Sequence, residues 1–305
     1  SLARDSSAAR VLHERARALD QQAAQLRQLA GQVELHQACA ELKKALDGAD
    51  EKIDLANAAL LAAKLDHGDL DVSVYRRDID RMGQKLGQSL PKNADHKTKL
   101  DALNKFFFED RGFHGSRGDY YHRSNSYLSE VIDDREGLPI TLSVLYMELG
   151  RRIGLTMEGV GLPGHFVVRV RPAKGEPQLV DVFGGGKTLS EKEAADKVLS
   201  TAGIELAPEH LKAVTKRAIV IRILHNLLNL ARDDRDIPGA LRYLTAIVEI
   251  DPEAAPERWM RAILRYQTGQ RALARVDTDW LIEHEPKGID LKHVRELQKL
   301  LAREE

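Results

Sequence analysis

Apolar residues recur every seven positions over the first forty residues of the chain. Leu12, Leu19, Leu26 and Val33 form one series, and Ala9, Ala16, Ala23 and Ala30 form a second series three residues earlier. Together they make an a/d seam over four heptads, the pattern of a helix that packs against another helix. No proline and no Phe, Tyr or Trp interrupts residues 8–47. Gly31 weakens the helix locally, by about 1 kcal/mol. The seam has two readings: a helix that self-associates or docks a partner, and a helix packed on the protein's own body. Cys39, near the seam's end, reads as a small buried residue, and Gly48 closes the segment.

The next three segments also have helical spacing. Ile53, Leu55, Ala56, Ala59, Leu60 and Ala63 predict a helix that stops at His67-Gly68. Val74, Ile79, Met82 and Leu86 predict a second. Leu100, Leu103, Phe107 and Phe108 predict a third over residues 97–109, after a loop at Pro91-Lys92-Asn93. Residues 111–125 are polar, with Gly112, Gly115 and Gly118 interspersed, and read as a long loop of the kind that carries function or moves. Asn125 and Ser126 precede a short helical run over residues 127–132. Gly137-Leu138-Pro139 then introduces the most hydrophobic helix, with Leu142, Leu145, Tyr146, Leu149 and Ile153 on one face. Pro139 suits a first turn, Arg151 and Arg152 suit a last turn, and Gly154 stops the helix.

After Gly154 the period changes to two, which predicts strands. Phe166, Val168 and Val170 share one face, and His165, Val167 and Arg169 share the other. Residues 172–177 form the turn and residues 178–183 the returning strand. Pairing Arg169 with Pro177 places His165 opposite Asp181, and a shifted register keeps them within diagonal reach only if parity is preserved. Gly184-Gly185-Gly186-Lys187-Thr188 does not complete a phosphate-binding loop, because the first glycine of that motif would fall at Asp181. It reads as a flexible strand exit.

From Leu211 onward the chain is helical again and carries a 34-residue offset. Pro252 pairs with Pro286 in this way, Ala240 with Ala274, Leu228 with Ala262 and Ile247 with Leu281. This is tetratricopeptide spacing, with Tyr266 and Gly269 fitting the second copy and residues 291–301 able to cap the stack. Two copies are fewer than the three or so that stand alone, so this region is expected to pack on the middle of the chain. The expected organisation is an N-terminal helical segment (1–48), a central α+β domain (49–206) and an all-α tail (211–305).

Composition narrows the function classes. The 305 residues include 46 basic and 47 acidic side chains, a formal net charge of -1. That balance exerts no long-range pull toward nucleic acid or an anionic membrane. No apolar run approaches the roughly 20 residues that span a bilayer. A single cysteine excludes an internal disulfide framework and a cysteine zinc cluster, and a cytoplasmic protein is expected. The chain begins at Ser1 and not at Met, which leaves room for a removed upstream segment such as a signal peptide. Ten of the 15 aromatic residues, including all six Phe, fall in residues 106–183. A site is therefore expected there.

His165 and Asp181 form the one pair with catalytic character: a carboxylate on one imidazole nitrogen fixes the tautomer and frees the other nitrogen. The order helix, His strand, Asp strand is similar to that of papain-like and transglutaminase-like folds, where a nucleophilic Cys opens the helix. Here the helix opens Leu138-Pro139-Ile140-Thr141. The segments Leu103-Asn104-Lys105-Phe106-Phe107-Phe108, Asn125-Ser126-Tyr127-Leu128, Gly137-Leu138-Pro139-Ile140-Thr141-Leu142-Ser143 and Gly161-Leu162-Pro163-Gly164-His165-Phe166 resemble the SirB-type family. That family has a transglutaminase-like core followed by tetratricopeptide helices. The likeness covers residues 50–290 and leaves the Ala/Leu seam outside. It implies a papain-like α+β core with a small antiparallel sheet, His165 at the superfamily's catalytic His, Asp181 at its catalytic Asp, and no Cys near residues 139–141. Two functions follow as expectations. One is a non-catalytic module that binds a protein or peptide through Asn125, Ser126, Tyr120 and Tyr121. The other is a hydrolase or acyl-transfer enzyme with a hydroxyl nucleophile, for which Thr141, Ser143 and Ser126 are candidates. No cofactor is expected, and no metal, since His114 and His122 lack ligand spacing.

Overall fold

The computed structural model describes residues 2–303. Helix α1 (Leu2–Ala45) is followed by α2 (Leu55–Lys64), α3 (Val72–Gln88) and α4 (His96–Asn104). α4 runs into a wide π-type turn, Lys105–Asp110, in which the Arg111 N–H donates to the Phe106 carbonyl at 2.9 Å. The segment read as a long loop is partly ordered into regular structure. It holds a two-residue strand, β1 (His114–Gly115), and a 3-10 turn, Arg123–Ser126. After α5 (Leu128–Asp134) comes β2 (Glu136–Gly137), which pairs with β1 in parallel. α6 (Pro139–Arg152) follows directly.

Strands β3 (Thr156–Val160), β4 (Val167–Arg171), β5 (Gln178–Asp181) and β6 (Lys187–Leu189) form one antiparallel sheet in chain order. β4 and β5 are the strands that alternation predicts, and they are paired. β3 and β6 are additional edge strands with weak patterns, one interrupted by Glu158 and Gly159, the other only three residues long. Val168, Val170, Val180 and Val182 join the main core with α6. Val167, Leu179 and Leu189 face the other way, onto Ala194 and Val198 of α7 (Glu191–Ala202). α7 starts with reciprocal caps: the Ser190 hydroxyl accepts from the Glu193 N–H, and the Glu193 carboxylate accepts from the Ser190 N–H.

The tail is all helical: α8 (Lys216–Asp233), α9 (Ile237–Ile250), α10 (Ala255–Gln267), α11 (Arg271–His284) and α12 (Leu291–Arg303). α9 and α11 start at 237 and 271, 34 residues apart, with Ala240 and Ala274 buried in matching places. α8 and α9 supply Ile219, Ile223, Leu227, Tyr243 and Ile247 to the same core cluster as α6, while α10–α12 form smaller clusters of their own. Among the described residues no helix is long and apolar enough to cross a membrane.

α1 corrects one expectation. Its seam does not lie on the protein's own body: Leu12, Leu19, Leu26 and Val33 are 51–70% exposed. Among its described side chains only those of the last turns are anchored: Ala38, Cys39 and Leu42, with Leu46 just past the helix, are buried in the main core beside α2 and α9. The heptad pattern continues past the point where the body ends, so the alanine and leucine rows run on into solvent.

One of the groups that tie the tail to the middle of the chain is a carboxylate with four hydrogen-bonded contacts. Asp66, just past α2, accepts hydrogen bonds from the Tyr127 and Tyr243 hydroxyls at 2.7 and 2.6 Å on Oδ2. Its Oδ1 meets the Arg242 guanidinium at 2.9 and 2.7 Å. Removing it strands two buried hydroxyls and a half-buried cation. Asp66→Ala is expected to lower the unfolding free energy in urea by about 3 kcal/mol, and Tyr243→Phe by about 1 kcal/mol. An Asp66→Ala loss below about 0.5 kcal/mol, the size of an ordinary surface substitution, would contradict this role.

Candidate functional site

His165 sits just before β4, at the end of a turn shaped by Pro163-Gly164. Gly164 has φ +70, and a Cβ there would lie 2.7 Å from the Thr201 hydroxyl, so glycine alone fits. The turn is closed by the His165 N–H donating to the Leu162 carbonyl at 3.1 Å. Arg222 of α8 clamps it from outside, donating to the Leu162 and His165 carbonyls at 2.9 and 2.7 Å. Its guanidinium stands 5.5 Å over the Phe166 ring. Burial pulls the Arg222 pKa below its ordinary value.

The β4–β5 register pairs Arg169 with Leu179 and Val168 with Val180. This is shifted by two residues from the pairing of Arg169 with Pro177, so parity survives and the two side chains still meet, along the diagonal. His165 Nε2 lies 2.9 Å from Asp181 Oδ1, with the residues 5% and 2% exposed. Asp181 Oδ1 also accepts from the Gly184 N–H at 3.0 Å, and Oδ2 is bridged by Lys197 of α7. Burial pushes the Asp181 carboxyl up, but the hydrogen bond and charge of His165, then Lys197 and the Gly184 N–H, outweigh it and hold the pKa at about 2. The ionised carboxylate therefore accepts a hydrogen bond from Nε2–H, and Nδ1 is the ring nitrogen that this contact leaves uncommitted.

Phe183 covers the pair, its ring edge-on to the His165 ring at 6.1 Å. It packs over Gly115 of β1, where a Cβ would meet the ring at 2.6 Å. On its other side Phe183 meets Tyr120 at 6.0 Å, and Tyr120 meets Tyr121 at 5.2 Å. Tyr120 is 40% and Tyr121 73% exposed, so a chain of aromatic rings leads from the surface to the buried pair. Tyr121 also lines a cleft of about 560 Å³ with His67, His122, Arg123 and Arg242.

The remaining sequence candidates are placed differently. Thr141 is fully buried, and its hydroxyl donates to the Asn125 carbonyl at 2.7 Å and accepts from the Leu138 N–H at 3.0 Å. Ser143 donates to the Pro139 carbonyl at 2.6 Å. Ser126 is buried, and its hydroxyl has no protein partner. Asn125 is buried too, and its amide donates to the Asp119 carbonyl at 2.8 Å, holding the Tyr120 loop from beneath. His114 and His122 each direct Nδ1 at a local oxygen, of Gly115 and Ser124. Among the described residues no three side chains of metal-ligand type converge. Cys39 lies in the α1 anchor, and burial, aided by Glu249, pushes its thiol up to about 12, which leaves it un-ionised and inert. Phe183 belonged to an aromatic-rich stretch that the sequence singled out. Lys197 and Arg222 carried no signal, because in sequence each is one more cation on a charged helix.

The geometry agrees with comparisons to known proteins. Residues 73–225, half of the chain, match the family model of the transglutaminase-like superfamily. The chain belongs to that superfamily. The match contains α6 and both members of the His165–Asp181 pair. A UPF0162 protein of Xylella fastidiosa (strain 9a5c) is 30% identical over 251 residues, covering 81% of this chain and 89% of the relative. Protein SirB1 of Salmonella typhimurium is 23% identical over 235 residues, 76% of this chain and 87% of the relative. F-box only protein 21 of Homo sapiens is 32% identical over 140 residues, 44% of this chain and 22% of that protein. No solved structure matches. These relatives bear out the SirB-type resemblance and the α+β transglutaminase-like core.

The depressed Asp181 pKa has a pH signature. A carboxyl that titrates at about 2 in the folded chain, against an ordinary value of 3.8, stabilises the fold at every pH above 3.8 and loses that contribution as pH falls through 2. The difference in unfolding free energy between wild type and Asp181→Asn is expected to shrink by roughly 2 kcal/mol between about pH 4 and 2. A difference that stays flat down to pH 2 in urea titrations would rule out the ionised pair.

Proposed function

We propose that this transglutaminase-like protein is a non-catalytic module that binds a peptide or protein, with a tetratricopeptide-like tail, in the cytoplasm. The observation that carries this reading is the state of Thr141. By the resemblance the superfamily's nucleophilic Cys would fall near residues 139–141, and the hydroxyl in that span, on Thr141, gives its proton to the Asn125 carbonyl. A nucleophile must hand its proton to the base, and this one is engaged in capping α6. The other support is the ladder of Tyr121, Tyr120 and Phe183: amphipathic aromatic side chains, partly in water, are the anchors that peptide interfaces favour. The match to F-box only protein 21 supports a modular use, since the same core occupies a small part of a much longer chain. The 34-residue spacing of α9 and α11 supports the tail.

A second reading keeps the chemistry: a hydrolase or acyl-transfer enzyme in which Ser126 is the nucleophile for His165. The observation that favours it is the buried, unpartnered Ser126 hydroxyl. Two measurements separate the readings. Fluorophosphonate and ester probes are expected to leave the chain unlabelled. Labelling that disappears in both Ser126→Ala and His165→Ala, or in both Thr141→Ala and His165→Ala, with the fold intact by circular dichroism, establishes the enzyme instead. Peptide display on the wild-type chain is expected to enrich one sequence motif. Its affinity should fall about tenfold in Tyr120→Ala, the loss typical of an aromatic anchor.

A further inference from the structure

Residues 8–34 of α1 project beyond the part of the helix that the body covers, and helices draw most of their stability from packing an apolar face, which here lies open at Leu12, Leu19, Leu26 and Val33. We propose that this segment pairs antiparallel with the same segment of a second copy of the chain.

The heptad positions fit a copy of themselves. Antiparallel coils layer a against d, so each alanine can meet a larger residue. In one register Ala23 meets Leu26 of the partner subunit, Ala16 meets Val33 of the partner subunit and Ala30 meets Leu19 of the partner subunit. The charges beside this seam settle the direction. The e positions are His13, Asp20, Arg27 and Glu34, and antiparallel helices face e against e. In the same register Asp20 faces the partner's Arg27 and His13 faces the partner's Glu34, and two-fold symmetry repeats each pair. A parallel alignment sets Asp20 against the partner's Arg15, but leaves Arg27 against Gln22 and Glu34 against Leu29 of the partner subunit.

A second complementarity lies at the anchored end. A cleft of about 640 Å³ flanks α1 there, and its charged lining is Glu34, Glu41, Asp66 and Asp69 with Lys64 and Arg242. The antiparallel register runs the partner's N-terminal turns past this cleft, with Arg10 and Arg17 on the side that carries the e residues. The excess of carboxylates thus meets the basic start of the other helix.

Light scattering and sedimentation of the full chain test this. The wild type is expected to be a dimer. Leu19→Asp with Leu26→Asp should give a monomer, with the body's melting temperature and circular dichroism retained, because both positions are exposed in the single chain. Asp20→Arg or Arg27→Asp alone should raise the dimer dissociation constant about tenfold through two like-charge contacts, and the double swap should return it to within about threefold of wild type. A wild type that is monomeric at every concentration overturns the proposal, including one that binds anionic vesicles, which would make a membrane surface the occupant. A dimer untouched by the Leu→Asp changes overturns the interface. A dimer that the double swap fails to restore overturns the antiparallel register.

Discussion

A helix with no exposed face has to settle its polar ends inside the protein. α6 is buried from Pro139 through Gly150, and its surroundings follow from that. At the start, Pro139 has no N–H to satisfy, and the Leu138 N–H is met by the Asn125 carbonyl and the Thr141 hydroxyl at 3.1 and 3.0 Å. The short β1–β2 pair closes the approach, with the Ser116 N–H on the Gly137 carbonyl. At the other end the buried Glu148 is met by Arg151 and Arg152, and Arg152 reaches on to Asp80 of α3. Burial of the helix therefore decides the use of Thr141: its hydroxyl serves the cap.

The parts of this fold that were legible in sequence are those where one period dominates. α6 was readable because Leu142, Leu145, Tyr146 and Leu149 keep a 3.6-residue spacing. β4 and β5 were readable because their two faces enter different clusters, one under α6 and one under α7. The His165–Asp181 contact survived a two-residue error in register because only parity matters to which face a side chain takes. Edge strands carry no such redundancy, since three residues or a Glu-Gly interruption leave no period to read. Lys197 and Arg222 were hidden because their partners, Asp181 and the turn at Leu162 and His165, lie 16 to 60 residues away. Heptads showed that α1 has an apolar face, but periodicity does not say what covers a face.

Carboxylates with several partners act as joints at two places. Asp66 gathers α9 and the residue that opens α5. Asp277 of α11 is fully buried, and Arg261 meets it with two hydrogen bonds at 3.0 and 2.6 Å while Arg265 adds one at 2.7 Å. Arg258 approaches at 3.5 Å and lays its guanidinium 4.1 Å over the Trp280 ring. The three arginines fall three and four residues apart, one face of α10 turned wholly to one acid. Such clusters add little net strength over apolar packing. Their effect is on alignment: α10 slipped by one turn against α11 would leave a charge buried without its partner. The paired helices of the tail thus have a fixed register despite their small apolar clusters.

The anchoring of α1 only at its end has a mechanical consequence. At 1.5 Å per residue its uncovered residues 8–34 make an arm roughly 40 Å long, held by a few turns near Cys39 and Leu42. A tilt of about ten degrees at that anchor carries the tip roughly 7 Å sideways on an arm of this length. Side-chain rearrangements too small to disturb the core can therefore redirect the far end by more than half the width of a helix. The helix that this anchor rests on, α9, is also the one that carries Arg242 and Tyr243 onto Asp66, so the foot of the arm and that carboxylate share one support.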